Sequence, residues 1–445
     1  IMSNLILNFF NRIELIDGAV ITDLSGNDRR SIDGKNITHL IDKLAAFLAD
    51  AGAKRGDRIV AVFDNTIEAA LVLLVAMRHG ITICLQAPGT TTEKLFQLRD
   101  ELLAMAIINT TRTEIDGTLA VQFEKLENQK PLLPEQFETR TPFTITFTSG
   151  STGTPKGIVH CAENFLNCAN IFNRQTNISD QDIFLNIMPM YYMAGIFNGI
   201  IAPLSAGASV IIDKAFSAAT AINFWPTIQA EKVSALWLSP AMMSLIMKLD
   251  RTDKTLPTNF RKLFVGTGAM RKTDASKFYQ FYGVAPLQSY GLSEVLYISV
   301  DDLSPKSFGS VGYPLNGVSL TFSEDGNLSV DLPYAFLGYF INGKFESHEG
   351  IFRTSDFAKL STEGKLFILG RNDDVILRGG VNVNPIELEN LLIAILGDRT
   401  FCIIGLADPI LGEKVVLVTE SKNLDNNTFA DAQKVVRNQP GNAQL

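Results

Sequence analysis

The sequence predicts an α/β fold: a large N-terminal domain on parallel sheets with a β subdomain, then a small α+β domain. Three observations carry this. From about Asp57, apolar β-branched segments alternate with amphipathic stretches. After about Gly309 the segments shorten and Gly turns separate them. From Asp373 the chain returns to a turn, a helix and two strands.

In order, residues 57–63 (DRIVAVF) read as a buried strand and 66–80 as a helix closed by Gly80. A strand at 81–86, a helix at 92–103 and a strand at 104–110 follow. This β-α-β-α-β rhythm requires crossovers and hence a parallel sheet. The rhythm resumes with strand 143–148, helix 164–174, strand 183–190, helix 195–204 and strand 209–213. It continues with strand 233–239, helix 241–249 and strand 262–268. Residues 318–332, 340–345 and 365–370 alternate in the manner of strands, and EDGN and INGK are hairpin turns. Helix 385–396 and strands 402–408 and 414–420 form the start of the last domain. The expected division is 1–372 and 373–445.

Composition excludes several classes. Hydrophobic residues make up 46% and charged residues 19%, which rules out a disordered chain, a coiled coil or a disulfide-stapled mini-protein. With Lys+Arg 39 against Asp+Glu 47 the net charge is −8, unsuited to binding nucleic acid by phosphate neutralisation. Mean hydropathy is +0.14, yet the longest apolar run, 69–77, is about half the ~20 residues a membrane span needs. The N-terminal run lacks the basic start of a signal peptide. Cys84, Cys161, Cys168 and Cys402 form no CxxC, and His39, His79, His160 and His348 show no metal-ligand spacing. The expectation is a reduced, cytoplasmic protein without a zinc site.

The strongest chemical signal is 148–157, TSGSTGTPKG, behind an apolar strand. Ser149, Gly150, Ser151, Thr152, Gly153 and Thr154 concentrate backbone N–H groups and hydroxyls, and Lys156 adds a mobile positive charge. Such a run can wrap a polyphosphate. It is not a Walker A loop, because Gly157 rather than Ser or Thr follows the Lys. The plain alternative is a flexible Ser/Gly hairpin.

This run resembles the phosphate loop of the ANL adenylate-forming superfamily, which includes acyl-CoA synthetases, peptide-synthetase adenylation domains and luciferases. Five further segments resemble that family in the same order. Gly266-Thr267-Gly268-Ala269 and Gln288-Ser289-Tyr290-Gly291-Leu292-Ser293-Glu294 are similar to its adenine-site segments. Phe352-Arg353-Thr354-Ser355-Asp356 and Gly370-Arg371-Asn372-Asp373-Asp374 are similar to its ribose and hinge motifs. The run 379–389, GGVNVNPIELE, resembles the start of its mobile domain, most of all in fatty-acid and aryl-acid CoA ligases.

The resemblance makes Lys156, Thr148 and Glu294 the catalytic candidates, with Glu294 also the magnesium ligand. Tyr290 offers a flat face for adenine, where the plain alternative is a core tyrosine. Glu294 would be the acid placed to hold Mg²⁺, which favours few carboxylates plus phosphate oxygens; otherwise it is a helix-start acid. Asp356 suits the paired ribose hydroxyls, with Arg371 beside it; otherwise both sit in a surface turn. Asp373 becomes the hinge, and Gly379 and Gly380 border a pantetheine tunnel.

Departures from the pattern matter. Ser293 replaces a Thr but keeps the hydroxyl, and Ser355 replaces a Gly. Tyr192 stands where the family commonly has a His lining the carboxylate pocket. With Met193, Phe197 and Gly266 it forms the expected acyl pocket, and Met190, Ile196 and Ile200 add apolar surroundings. The family's late catalytic Lys has no match before Leu445, and neither Lys422 nor Lys434 takes its role. We expect it in a continuation of the chain.

The resemblance implies Mg²⁺- and ATP-dependent activation of a small-molecule carboxylic acid to acyl-AMP and pyrophosphate. Transfer of the acyl group to the thiol of coenzyme A follows. The pocket points to an apolar acyl or aryl acid. The alternatives are a ligase that loads the phosphopantetheine of an acyl carrier protein, and a nucleotide-binding pseudoenzyme.

Overall fold

The computed structural model describes residues 4–148, 156–252, 256–302, 308–378, 381–397, 399–410, 412–420 and 424–437. They form two compact units, one of 1–318 with 331–350 and one of 319–330 with 351–445.

Two sheets organise the larger unit. In the nine-stranded sheet, Pro286–Leu292, Lys262–Val265, Ala235–Leu238, Ile183–Asn186, Ser209–Ile212 and Ala19–Asp23 lie side by side and parallel. Leu296–Val300 and Tyr313–Pro314 close one edge antiparallel, and Arg30–Asp33 the other. The eight-stranded sheet is parallel through Pro142–Thr148, Thr82–Gln86, Arg58–Val62, Ala106–Asn109 and Leu119–Ala120. Its other side is antiparallel, through Lys156–Cys161, Gly338–Ile341 and Lys344–Ser347.

Helix Ile67–His79 packs against a strand of each sheet, which is why it is apolar on every side. Thr66 caps its start by accepting from Ala69 N, and Gly80, at φ +67°, ends it. Ahead of Asp57 lies the segment 4–56. It holds the amphipathic helix Asn4–Glu14, which buries Ile6, Phe9, Phe10 and Ile13, and the helix Gly34–Asp50.

Two expected elements differ for a local reason. The strand expected at 183–190 stops at Asn186. Beyond it the backbone bonds to side chains: Met188 N donates to Asn186 Oδ1, and Met190 N to Asn65 Oδ1. The helix expected at 195–204 is a π-helix over Ala194–Ile201, continued by the α-helix Ala202–Ser205. A Cβ on Gly195 would lie 2.1 Å from Pro189 O, and one on Gly199 2.1 Å from Asn186 Cγ. Both glycines let this helix press against the end of the strand.

The β-rich run after Gly309 serves both units. The hairpin Gly338–Ile341 with Lys344–Ser347 extends the eight-stranded sheet. Ser319–Phe322, Asn327–Asp331, Phe352–Leu360 and Leu366–Arg371 form a sheet of the smaller unit. The last sheet orders Val381–Val383, Ile376–Arg378, Gly412–Thr419 and Phe401–Asp408. Helices Pro385–Leu396 and Asn426–Arg437 cover it, burying Leu388, Leu392, Ile403, Val415 and Val436. Among the described residues no helix is long and apolar enough to cross a membrane.

Candidate active site

Thr148 ends one strand, Lys156 opens the next, and the two residues pair across an antiparallel ladder. Ser149, Gly150, Ser151, Thr152, Gly153 and Thr154 lie outside the described residues, as do Gly379 and Gly380. The run thus joins two strands, and the next helix starts only at Ala162. No helix N-terminus follows it directly.

Glu294 stands in the turn between Pro286–Leu292 and Leu296–Val300. The turn is tightly specified. A bulge falls at Tyr290/Gly291, and a Cβ on Gly291 would lie 2.1 Å from Leu296 O, so only glycine fits. Leu296 holds φ +56°, a left-handed conformation rare for a branched residue.

Three contacts hold the turn from outside. Phe336 N donates to Glu294 O at 2.8 Å, and Tyr339 Oη donates to Glu294 Oε1 at 2.9 Å. His160 Nε2 donates to Ser293 O at 2.7 Å, while its Nδ1 accepts from Asn164 Nδ2 at 3.2 Å. Burial pushes the His160 pKa down to about 4, so the ring is neutral, as this donor and acceptor pair requires. Burial first, then Glu294, pushes the Tyr339 phenol well above its ordinary value, so it remains a donor. Lys156 Nζ lies 5.4 Å from the Tyr339 ring centroid.

The adenine-site candidates lie at neighbouring strand ends. Ser289 Oγ donates to Val265 O, and a Cβ on Gly266 would lie 3.0 Å from Ser289 Oγ. Gln288 Nε2 donates to Gly268 O at 3.3 Å, tying the exposed segment Thr267–Ala269 to the next strand. Thr267 holds φ +65°. Tyr290 is 9% exposed, so little of its ring reaches solvent.

In the smaller unit, Asp356 and Arg371 face each other across two paired strands, and Arg371 Nε donates to Asp356 Oδ1 at 3.0 Å. They are strand residues rather than a surface turn. Asp356 is 2% exposed. Asp373 lies in the 3₁₀ turn Asn372–Asp374, between strands of that unit's two sheets.

The acyl-pocket candidates separate by burial. Phe197 packs edge-on to Phe165 and tilted on Tyr297, while Met190, Ile196 and Ile200 are fully buried. Tyr192 is 58% exposed and packs on Tyr191 at 4.5 Å, with Met193 half-buried beside it. Their loop hangs on Asn65, whose amide donates to Met188 O and Asp213 O, and on Asn186, which donates to Gly195 O. The sequence reading missed Tyr339, His160, Asn65 and Asn186. Asn65 and His160 act through contacts more than a hundred residues away and the Tyr339 hydroxyl through one 45 residues away, while Asn186 acts nine residues on.

Among the described residues, Glu294 presents a carboxylate at this turn. Among the described residues no group of three or more His, Cys, Asp or Glu could hold an ion. A single Glu294 fits magnesium, which draws its remaining donors from phosphate oxygens and water.

Residues 13–330 match the family of AMP-binding enzymes. The chain belongs to that family. Among its relatives is an oxalate–CoA ligase of Arabidopsis thaliana, 26% identical over 442 residues, covering 87% of this chain and 85% of that one. A 2-succinylbenzoate–CoA ligase of Bacillus velezensis is 24% identical, covering 87% and 82%. In fold, the chain is similar to ATP-bound MatB from Rhodopseudomonas palustris, with a TM-score of 0.84, 21% identity and 100% and 94% coverage. It is also similar to the o-succinylbenzoate CoA synthetase of Bacillus subtilis with its acyl-adenylate intermediate, with a TM-score of 0.80, 21% identity and 98% and 92% coverage.

Proposed function

We propose that this chain is an acid–thiol ligase that activates a carboxylic acid with ATP and passes the acyl group to coenzyme A. The observation that carries this is the family match, joined to Lys156 and Glu294 meeting at one phenol in the larger unit. In the first step a carboxylate oxygen attacks the α-phosphorus of ATP and pyrophosphate leaves. In the second, a thiolate attacks the acyl carbon and AMP leaves. Bound magnesium supplies charge neutralisation on the phosphates. Lys156 adds positive charge beside residues 149–155, and Glu294 presents its carboxylate from a rigid turn. Tyr290, Ser289 and Gly266–Ala269 take the adenine, and Asp356 with Arg371 the ribose. Both steps depend on charge stabilisation and alignment more than on a protein nucleophile.

The domain boundary at 372/373, with Asp373 as hinge and Gly379 and Gly380 beside the pantetheine, belongs to the same proposal. So does a cytoplasmic setting, supported by four unpaired cysteines.

For the acid, exposed Tyr192 and half-buried Met193 beside an aromatic interior favour an apolar acyl or aryl acid. A second reading is a dicarboxylic acid, favoured by the names of the two relatives. Acid-dependent pyrophosphate exchange, followed by thioester formation with CoA or a phosphopantetheinyl carrier protein, tests all of these. Faster exchange with oxalate or malonate than with medium-chain and aromatic acids would select the second reading. No exchange with any acid, despite ATP binding, would mark a pseudoenzyme.

A further inference from the structure

Tyr339 sits where the sequence showed only a hairpin. Its strand runs antiparallel to Lys156–Cys161, with Tyr339 opposite Ile158. That register sets the ring beside the first residue after the Gly-rich run, and Lys156 Nζ lies 5.4 Å from the ring centroid. The hydroxyl of the same ring donates to Glu294 Oε1 at 2.9 Å. The ring is braced by Phe336, edge-on at 4.7 Å, and Phe336 is in turn stacked on His348 at 4.8 Å. One phenol therefore touches both the cation and the carboxylate that the nucleotide site brings to Mg·ATP.

We propose that Tyr339 is a positioning residue: its hydroxyl sets the Glu294 carboxylate for the metal, and its face keeps Lys156 within the site. This rests on the nucleotide-site reading above. A long acidic or basic side chain that is free to rotate must be ordered when ligand binds, and a fixed partner removes that cost beforehand. The two contacts use different parts of the ring, so they can be separated.

ATP binding is measured by calorimetry without magnesium and across a magnesium titration, with melting followed by circular dichroism. Tyr339→Phe keeps the face and loses the donor. The magnesium needed for half-maximal ATP binding should rise roughly tenfold, the scale of a hydrogen bond to a charged acceptor. Affinity without magnesium should stay unchanged. Tyr339→Leu loses the face as well and should weaken magnesium-free ATP binding roughly two- to fivefold. In a Glu294→Gln background, Tyr339→Phe should add nothing.

A wild-type magnesium titration in Tyr339→Phe overturns the assignment. So does an equal effect in the Glu294→Gln background, or loss of the melting transition, since either marks a structural role. If the wild-type chain itself binds no Mg·ATP, the nucleotide-site reading fails, an outcome distinct from failure of Tyr339 alone.

Discussion

Glu294 owes its place to neighbours from distant parts of the chain: the Phe336 amide, the Tyr339 phenol and, one residue back, the His160 ring. Glu294→Gln keeps this frame and removes the charge. Acyl-AMP formation should fall roughly 10²–10³-fold, the scale of one electrostatic stabiliser, with the melting curve unchanged. Mass spectrometry of acyl-AMP checks it, and a wild-type rate would exclude the metal role. His160 makes a pH prediction. Its folded pKa is depressed from 6.5 to about 4, so the unfolded chain binds the proton first. The stability from the neutral ring is complete above about pH 6.5 and declines as pH falls toward 4, by an amount of order 3 kcal/mol. The buried carboxylates Asp23, Asp42 and Asp182 have lowered pKa values and lose their share only below their ordinary 3.8. Melting midpoints between pH 7.5 and 5 should therefore drop in the wild type and much less in His160→Gln. The motif residues themselves were legible, because Gly, Ser, Thr and Lys crowd one stretch. His160 and Tyr339 were not, since only folding brings them to Glu294.

At the scale of elements, hydrophobic alternation located most strands and helices from Asp57 onward within a few residues. It assigned no element to 156–161, 272–282, 286–300 or 426–437, where strands and helices stand, and it mistook element type or length where side chains replace backbone partners. After Asn186 the chain is bonded by two asparagine side chains, and no periodicity encodes that. The π-helix escaped for the same reason, because apolar spacing over 194–205 suits either helix type. Gly199→Ala tests this packing. The new Cβ would overlap Asn186, which holds the loop bearing Tyr191 and Tyr192. We expect a loss of about 1–3 kcal/mol in denaturant unfolding and a raised KM for the acid with little change for ATP. Asp182 is a contrasting case. It is fully buried and bonded to Lys262, Arg261 and Ser234. Asp182→Ala strands a buried ammonium and should cost about 3–5 kcal/mol, with the ATP affinity of the folded fraction intact.

At the scale of the whole molecule, the candidate residues fall in both units: Lys156 and Glu294 belong to the larger, Asp356 and Arg371 to the smaller. The sequence showed a change of character after Gly309. It could not show that alternate hairpins of that run join different sheets, because strand partners are chosen by tertiary packing. Within the smaller unit the chain passes from one four-stranded sheet to the next through Asn372–Asp374. A short 3₁₀ turn there is a suitable place for a change of φ and ψ, whereas the flanking strands are pinned by their ladders. Asp373→Pro limits φ to near −65° and so limits that change. If the two half-reactions use two arrangements about this turn, the variant should keep one rate and slow the other by tenfold or more. Single-turnover measurement of acyl-AMP formation from acid and ATP, and of thioester formation from supplied acyl-AMP and CoA, separates them. Equal slowing of both, or of neither, would remove Asp373 as the hinge while leaving the nucleotide site as described.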